Sequence, residues 1–147
     1  MILILLRDAA FFAAMLGCAV CDWKSRTIPN TLIAVMMGLG IIRLLAMLLN
    51  GAEIIWQLIA IPVFILCLIC WKHGQIGGGD VKLIGVICFY MGIWDAAAAF
   101  AVSLFPLLCL SVRHRNSARQ QIAMAPPLAF GCVAVIAGQY LAAMLLN

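Results

Sequence analysis

The sequence predicts an all-α integral membrane protein of six transmembrane helices, on three observations. First, 67% of its 147 residues are hydrophobic and only 10% are charged, with a mean hydropathy of +1.20. An ordinary soluble domain is about half apolar and a quarter charged, and a chain of this size has too small an interior to hide such an excess from water. Second, a membrane-spanning helix takes roughly 20 residues, so six spans use about 120 and leave only short connections. Third, positive charge gathers on alternate connections. A soluble globular protein is excluded, and residues 1–147 form a single membrane-embedded domain.

The spans follow from hydropathy in chain order. Segment one covers residues 2–21. It has little positive charge before it and no small-residue cleavage site after Cys21, so it is expected to be a retained helix and not a removed leader. Segments two and three, 31–49 and 54–71, are separated only by the short connection Asn50 to Glu53. Segments four and five, 76–93 and 95–112, are joined as tightly through Gly92 to Asp95, and segment six covers 122–145. Pro62 and Pro106 lie inside spans three and five, where each removes a backbone hydrogen bond and a kink is expected. The Ala96–Ala99 run in span five favours close helix packing. Pro29 closes the first connection, and Asn30 is expected to cap span two.

Seven of the nine basic residues lie on or beside the first, third and fifth connections: Lys24, Arg26, Lys72, Lys82, Arg113, Arg115 and Arg119. This places those connections in the cytoplasm of a plasma (inner) membrane protein, with both termini outside. Arg7 and Arg43 fall within spans and are expected to snorkel toward the outer interface near Asp8 and Glu53. The net charge of +4 is thus a matter of topology, and no nucleic-acid partner is expected. Trp23, Trp71 and Trp94, all near span ends, read as interfacial anchors in lipid. Of the seven cysteines, Cys18/Cys21 and Cys67/Cys70 have C-x-x-C spacing, but both pairs end apolar helices, and only His73 lies close by as a further ligand. No metal or other cofactor is expected.

Five acidic residues remain: Asp8, Asp22, Glu53, Asp80 and Asp95. On the charge-derived topology only Asp22 and Asp80 belong to the cytoplasmic side, one at the exit of span one and the other at the start of span four. Packed helices can bring those carboxyls together. Two close carboxylates share a proton. The ionised partner can draw a proton from a water that attacks a peptide carbonyl, while the protonated partner donates to the carbonyl oxygen and later to the leaving amine. The glycines Gly77, Gly78 and Gly79 fit that use, because a backbone without Cβ atoms can bend sharply and admit an extended substrate. Two other readings stand beside it. Asp80 can be a helix cap and Asp22 a counter-charge to Lys24 and Arg26, or the pair can serve a proton-coupled transport site.

The run Gly77-Gly78-Gly79-Asp80, a G-x-G-D motif, followed by Val81-Lys82-Leu83, resembles the second catalytic motif of the type IV prepilin peptidases. The stretch from Asp22 to Ile28-Pro29-Asn30 resembles that family's first motif, and Ala125-Pro126-Pro127 resembles the start of its last helix. The resemblance covers essentially the whole chain. It implies an intramembrane aspartyl endopeptidase that cuts the basic leader from prepilin or pseudopilin precursors at the cytoplasmic face. Asp22 and Asp80 would be the catalytic pair, with Gly77, Gly79, Pro29 and Asn30 shaping the motifs; Lys82, two residues past Asp80, points to another side of its helix and takes no catalytic role. Larger family members carry an N-terminal methyltransferase region with a cysteine cluster. This chain looks like the short, protease-only form of tight-adherence (Flp-type) pilus systems, so N-methylation is not expected.

Other protease chemistries find no support in the residues. There is no H-E-x-x-H, and His73 and His114 fall in basic connections. Ser103 and Ser111 lack a G-x-S-x-G setting. The alternatives to a peptidase are a small proton-coupled transporter and a structural subunit of a pilus or secretion assembly. The residues do not disclose the oligomeric state.

Overall fold

The computed structural model describes residues 2–74, 77–113 and 124–145. Arg115, Arg119 and His114, used above for topology and loop chemistry, lie outside the described residues. The described chain is helical: α1 (Ile2–Ser25), α2 (Asn30–Leu49), α3 (Ile55–Leu58), α4 (Ala60–Lys72), α5 (Gly78–Met91), α6 (Ile93–Arg113) and α7 (Ala125–Leu145). Among the described residues, four stretches are long and apolar enough to cross a membrane: Leu3–Ser25, Asn30–Leu49, Ile55–Lys72 and Ala125–Leu145. The all-α membrane fold is therefore as the composition requires, with α3 and α4 forming one broken pass.

The break is at Ile59, one turn before Pro62. Proline has no N–H to offer the carbonyl four residues earlier, that of Leu58, so the helix loses its continuity there. Pro106 behaves differently, since α6 runs on through it without interruption. The connection between α5 and α6 is reduced to Gly92, whose φ of +85° favours glycine.

Helix α5 is the axis of the bundle. Its residues Val81, Leu83, Val86, Ile87, Cys88, Tyr90 and Met91 are buried on all sides, against α2, α4 and α6 through the backbone and against α1 through the stacked rings of Phe11 and Tyr90, 3.7 Å apart. The remaining core includes Met15 and Cys18 on α1, Met36 on α2, Ala99 on α6, and Leu128 and Cys132 on α7. Outward faces carry large apolar side chains such as Leu16, Ile41, Leu66, Phe105 and Leu141, an arrangement stable only in lipid. Trp23, Trp71 and Trp94 are all exposed near helix ends. The alanine run does what its small side chains allow: α7 crosses α6 so closely that a methyl group on Gly131 would overlap the Ala99 carbonyl oxygen.

Candidate active site

Three segments far apart in sequence meet at one end of the bundle. Asp22 lies in the last turn of α1 and is 7% exposed. Its carboxylate is held by the backbone of α7: Ala125 N–H donates to Asp22 Oδ2 at 3.0 Å. The prolines at 126 and 127 have no N–H, so Ala125 offers one of the few donors at that helix start, where the backbone dipole also favours a negative charge. Asp80 is in the first turn of α5 and half-buried, at the end of that helix which docks on the segment following Asp22.

The first two motifs also dock on each other directly. Ile28 packs against Gly79, where an added Cβ would be 3.4 Å from Ile28 Cδ1. Lys82 Nζ donates to Asn30 Oδ1 at 2.9 Å, tying α5 to the first residue of α2. The residues between Asp22 and Asn30 are turned by Arg26, which takes a left-handed φ of +53° while its N–H donates to the Asp22 carbonyl at 3.0 Å.

Three expectations need correction here. Asn30 does not cap α2: Pro29 occupies the cap position with no side-chain bond, and the Asn30 amide oxygen is taken by Lys82. The glycines do not bend sharply. Gly77 is extended with φ −67° and ψ 142°, while Gly78 and Gly79 are already helical, so Gly79 lies in α5 and not in a loop. Their use is close approach: Asp80 folds back over Gly77, with Oδ2 3.0 Å from where a Cβ would stand. Asp80 itself is in the third helical position, not at the cap. Lys82 does point away from the pair. A cavity of about 300 Å³ lined by Ile33, Met37, Phe64, Val86 and Phe89 opens on that other face of α5, with Lys82 at its rim.

Two substitutions probe this geometry. Gly77→Ala should push the Asp80 carboxyl by a few tenths of an ångström and lower the turnover of a peptide substrate about tenfold. It should cost no more than about 1 kcal/mol of stability, the usual difference between Gly and Ala at a helix start. Lys82→Ala removes one exposed hydrogen bond and should shift stability by about 1 kcal/mol or less, with turnover kept within about twofold, both read on the same preparation.

A profile of the type IV leader peptidase family matches residues 9–112, which include both aspartates. The chain belongs to the type IV leader peptidase family. Among similar proteins is the prepilin leader peptidase/N-methyltransferase of Bacillus subtilis (strain 168), 30% identical over 129 residues, which are 84% of this chain and 52% of that relative. The chain thus spans about half the length of the curated relative it matches. No solved structure matches it. With four helices long and apolar enough to cross a membrane among its described residues, it is a multi-pass membrane member of that family.

What the sequence did not reveal is at the other end of the bundle. Arg7, expected to snorkel outward beside Asp8, is indeed paired with it at 2.8 Å, but inside the protein, with Asp8 only 7% exposed. Arg43 does not turn to Glu53; its guanidinium lies over the Tyr90 ring, 5.0 Å from the centroid. The available signal was slight: an Arg-Asp pair within an apolar span, and the chain's two tyrosines, Tyr90 and Tyr140, each near the end of another span.

Proposed function

We propose that this protein is an intramembrane aspartyl endopeptidase that removes the basic leader of prepilin-like precursors at the cytoplasmic membrane face, with Asp22 and Asp80 as its catalytic pair. The observation that carries this reading is the meeting of the segment after Asp22, the start of α5 with Asp80, and the head of α7 at one end of the bundle, with the Ala125 N–H fixing one oxygen of Asp22.

In this mechanism the two carboxyls hold one proton between them. The ionised member takes a proton from water as the water attacks the scissile carbonyl. The other donates a hydrogen bond to the developing oxyanion and gives its proton to the leaving amine as the C–N bond breaks, while the proton taken from water stays on its partner, so the pair again holds one proton. The leader's positive charges face the cytoplasmic interface, where anionic lipid head groups supply the counter-charge that the five acidic residues cannot. The apolar helix that follows the leader remains in the bilayer. It unwinds next to the start of α5, where Gly77 is exposed and extended and can offer its backbone to an extended strand. The assignment to the cytoplasmic face rests on the basic residues beside this end, Lys24, Arg26, Lys72 and Lys82. Of the two activities in the Bacillus relative's name, the reading concerns the peptidase.

The test is cleavage of several pilin-like precursors in membranes, with EDTA present, by wild type, Asp22→Asn and Asp80→Asn. Wild type should cut, and each variant should be folded and inactive. A variant that cuts at near wild-type rate sinks the dyad. Folded wild type that cuts none of the precursors shifts the reading to a proton-binding or structural membrane protein.

A further inference from the structure

We propose that Asp8, Tyr90 and Tyr140 form a clasp at the far end of the bundle that fixes the axial register of α1, α5 and α7, and so holds the Asp22 and Asp80 carboxyls at working separation. The proposal rests on the reading of those two aspartates as the catalytic pair.

The clasp is a buried carboxylate bound from three helices. Asp8 Oδ1 accepts from the Tyr90 hydroxyl on α5 and from Arg7 Nε and Nη2 at 2.9 and 2.8 Å. Asp8 Oδ2 accepts from the Tyr140 hydroxyl on α7 at 2.8 Å. Arg7 Nε also reaches the Tyr90 oxygen at 3.3 Å, and Arg43 brings α2 in over the Tyr90 ring. Both oxygens of Asp8 are engaged, so the arrangement is built to hold helices rather than to receive a ligand.

The helices it joins are the ones that build the catalytic end. Asp8 shares α1 with Asp22, about 21 Å away along the axis; Tyr90 shares α5 with Asp80, about 15 Å away; Tyr140 shares α7 with Ala125, about 22 Å away, at 1.5 Å per residue. Between the two ends the core is apolar: Phe11, Met15, Cys18, Leu83, Ile87, Leu128 and Cys132 belong to one hydrophobic cluster. Apolar contact has no direction, and it resists sliding of one helix past another less sharply than hydrogen bonds of defined geometry do. Buried polar groups that fix register are well attested in helical assemblies. A helix moves axially as a rod, so slippage at Asp8 arrives at Asp22 undiminished, and a misplacement of about 1 Å at a reacting group costs about 100-fold in rate. Asp8, Tyr90 and Tyr140 are on this account positioning residues.

The experiment uses the full chain in lipid bicelles with Asp8→Asn, Tyr90→Phe and Tyr140→Phe. Two quantities are read: kcat and KM on a pilin-like precursor, and hydrogen exchange of the Ala125 amide in ¹⁵N-alanine-labelled protein. The expected result is a kcat lowered about tenfold or more with KM within about twofold, and an Ala125 exchange rate raised about tenfold, while mid-helix Ala14 and Ala99 keep their rates. If either kcat per folded molecule or Ala125 exchange stays at the wild-type value in the variants, the clasp does not position the site, whatever happens to the melting temperature. Should Asp8→Asn fail to fold, Tyr140→Phe, which removes a single bond, decides. Failure of the dyad reading is separate: it appears as activity retained in Asp22→Asn, and the exchange measurement still judges the register.

Discussion

The double variant Asp22→Asn/Asp80→Asn should be no slower than the slower of its two single variants, each of which should lose about 1000-fold or more in turnover. General acid and base contributions of positioned side chains run to about 10²–10⁴-fold. When two groups share one proton, however, removing either removes the function of both, and their effects do not add. Asparagine keeps the shape of the carboxylate, so the Ala125 N–H can still meet an oxygen at position 22 and the bundle should stay folded. The measurement is single-turnover cleavage by the three purified variants, with melting temperatures alongside. Losses that multiply would mean two independent roles instead of a shared proton.

Gly131→Ala should be the most damaging single methyl in the chain. The added Cβ would overlap the backbone carbonyl oxygen of Ala99 and stand 3.1 Å from Ser103 Cβ. Neither carbonyl nor Cβ can rotate aside, so α6 and α7 must separate along their closest contact. Overpacking of this kind costs about 1–3 kcal/mol when side chains can yield, and about 3 kcal/mol or more is expected against backbone, a large part of a native stability of roughly 5–15 kcal/mol. Gly138→Ala, on the same helix with nothing within 4 Å of the new Cβ, is the control. It should leave stability unchanged or raise it by about 0.5–1 kcal/mol through helix propensity alone. Thermal unfolding of both in the same lipid distinguishes them; equal midpoints would mean that the α6–α7 contact is looser than described.

The spans were legible because lipid imposes length and apolarity on every crossing, and the observed helices fall within a few residues of the hydropathy segments. Asp22 and Asp80 were legible for a related reason: charge is scarce in such a chain, and each carboxylate stands out. Which helix faces meet was not legible. Every side of these helices is apolar, so period carries no direction, and nothing in the order of residues says that Tyr140 reaches Asp8 or that Arg43 turns inward to Tyr90 rather than toward Glu53. Asn30 misled because an asparagine after proline has the look of a cap, and only the fold reveals that Lys82 claims its oxygen first. The glycine run, expected to bend the chain, instead accommodates neighbours at close range within a helix start.

The brevity of α5 bears on how the protein is made. Its 14 residues give a rod of about 21 Å, against a hydrocarbon layer of about 30 Å, and they include Asp80 and Lys82. Insertion machinery that weighs each segment for apolarity would find too little in α5 to release it into lipid by itself. It is tethered to α6 by Gly92 alone. The two are therefore expected to enter the bilayer together as a hairpin, so that the helix at the axis of the finished molecule would depend for its delivery on a neighbour synthesised after it.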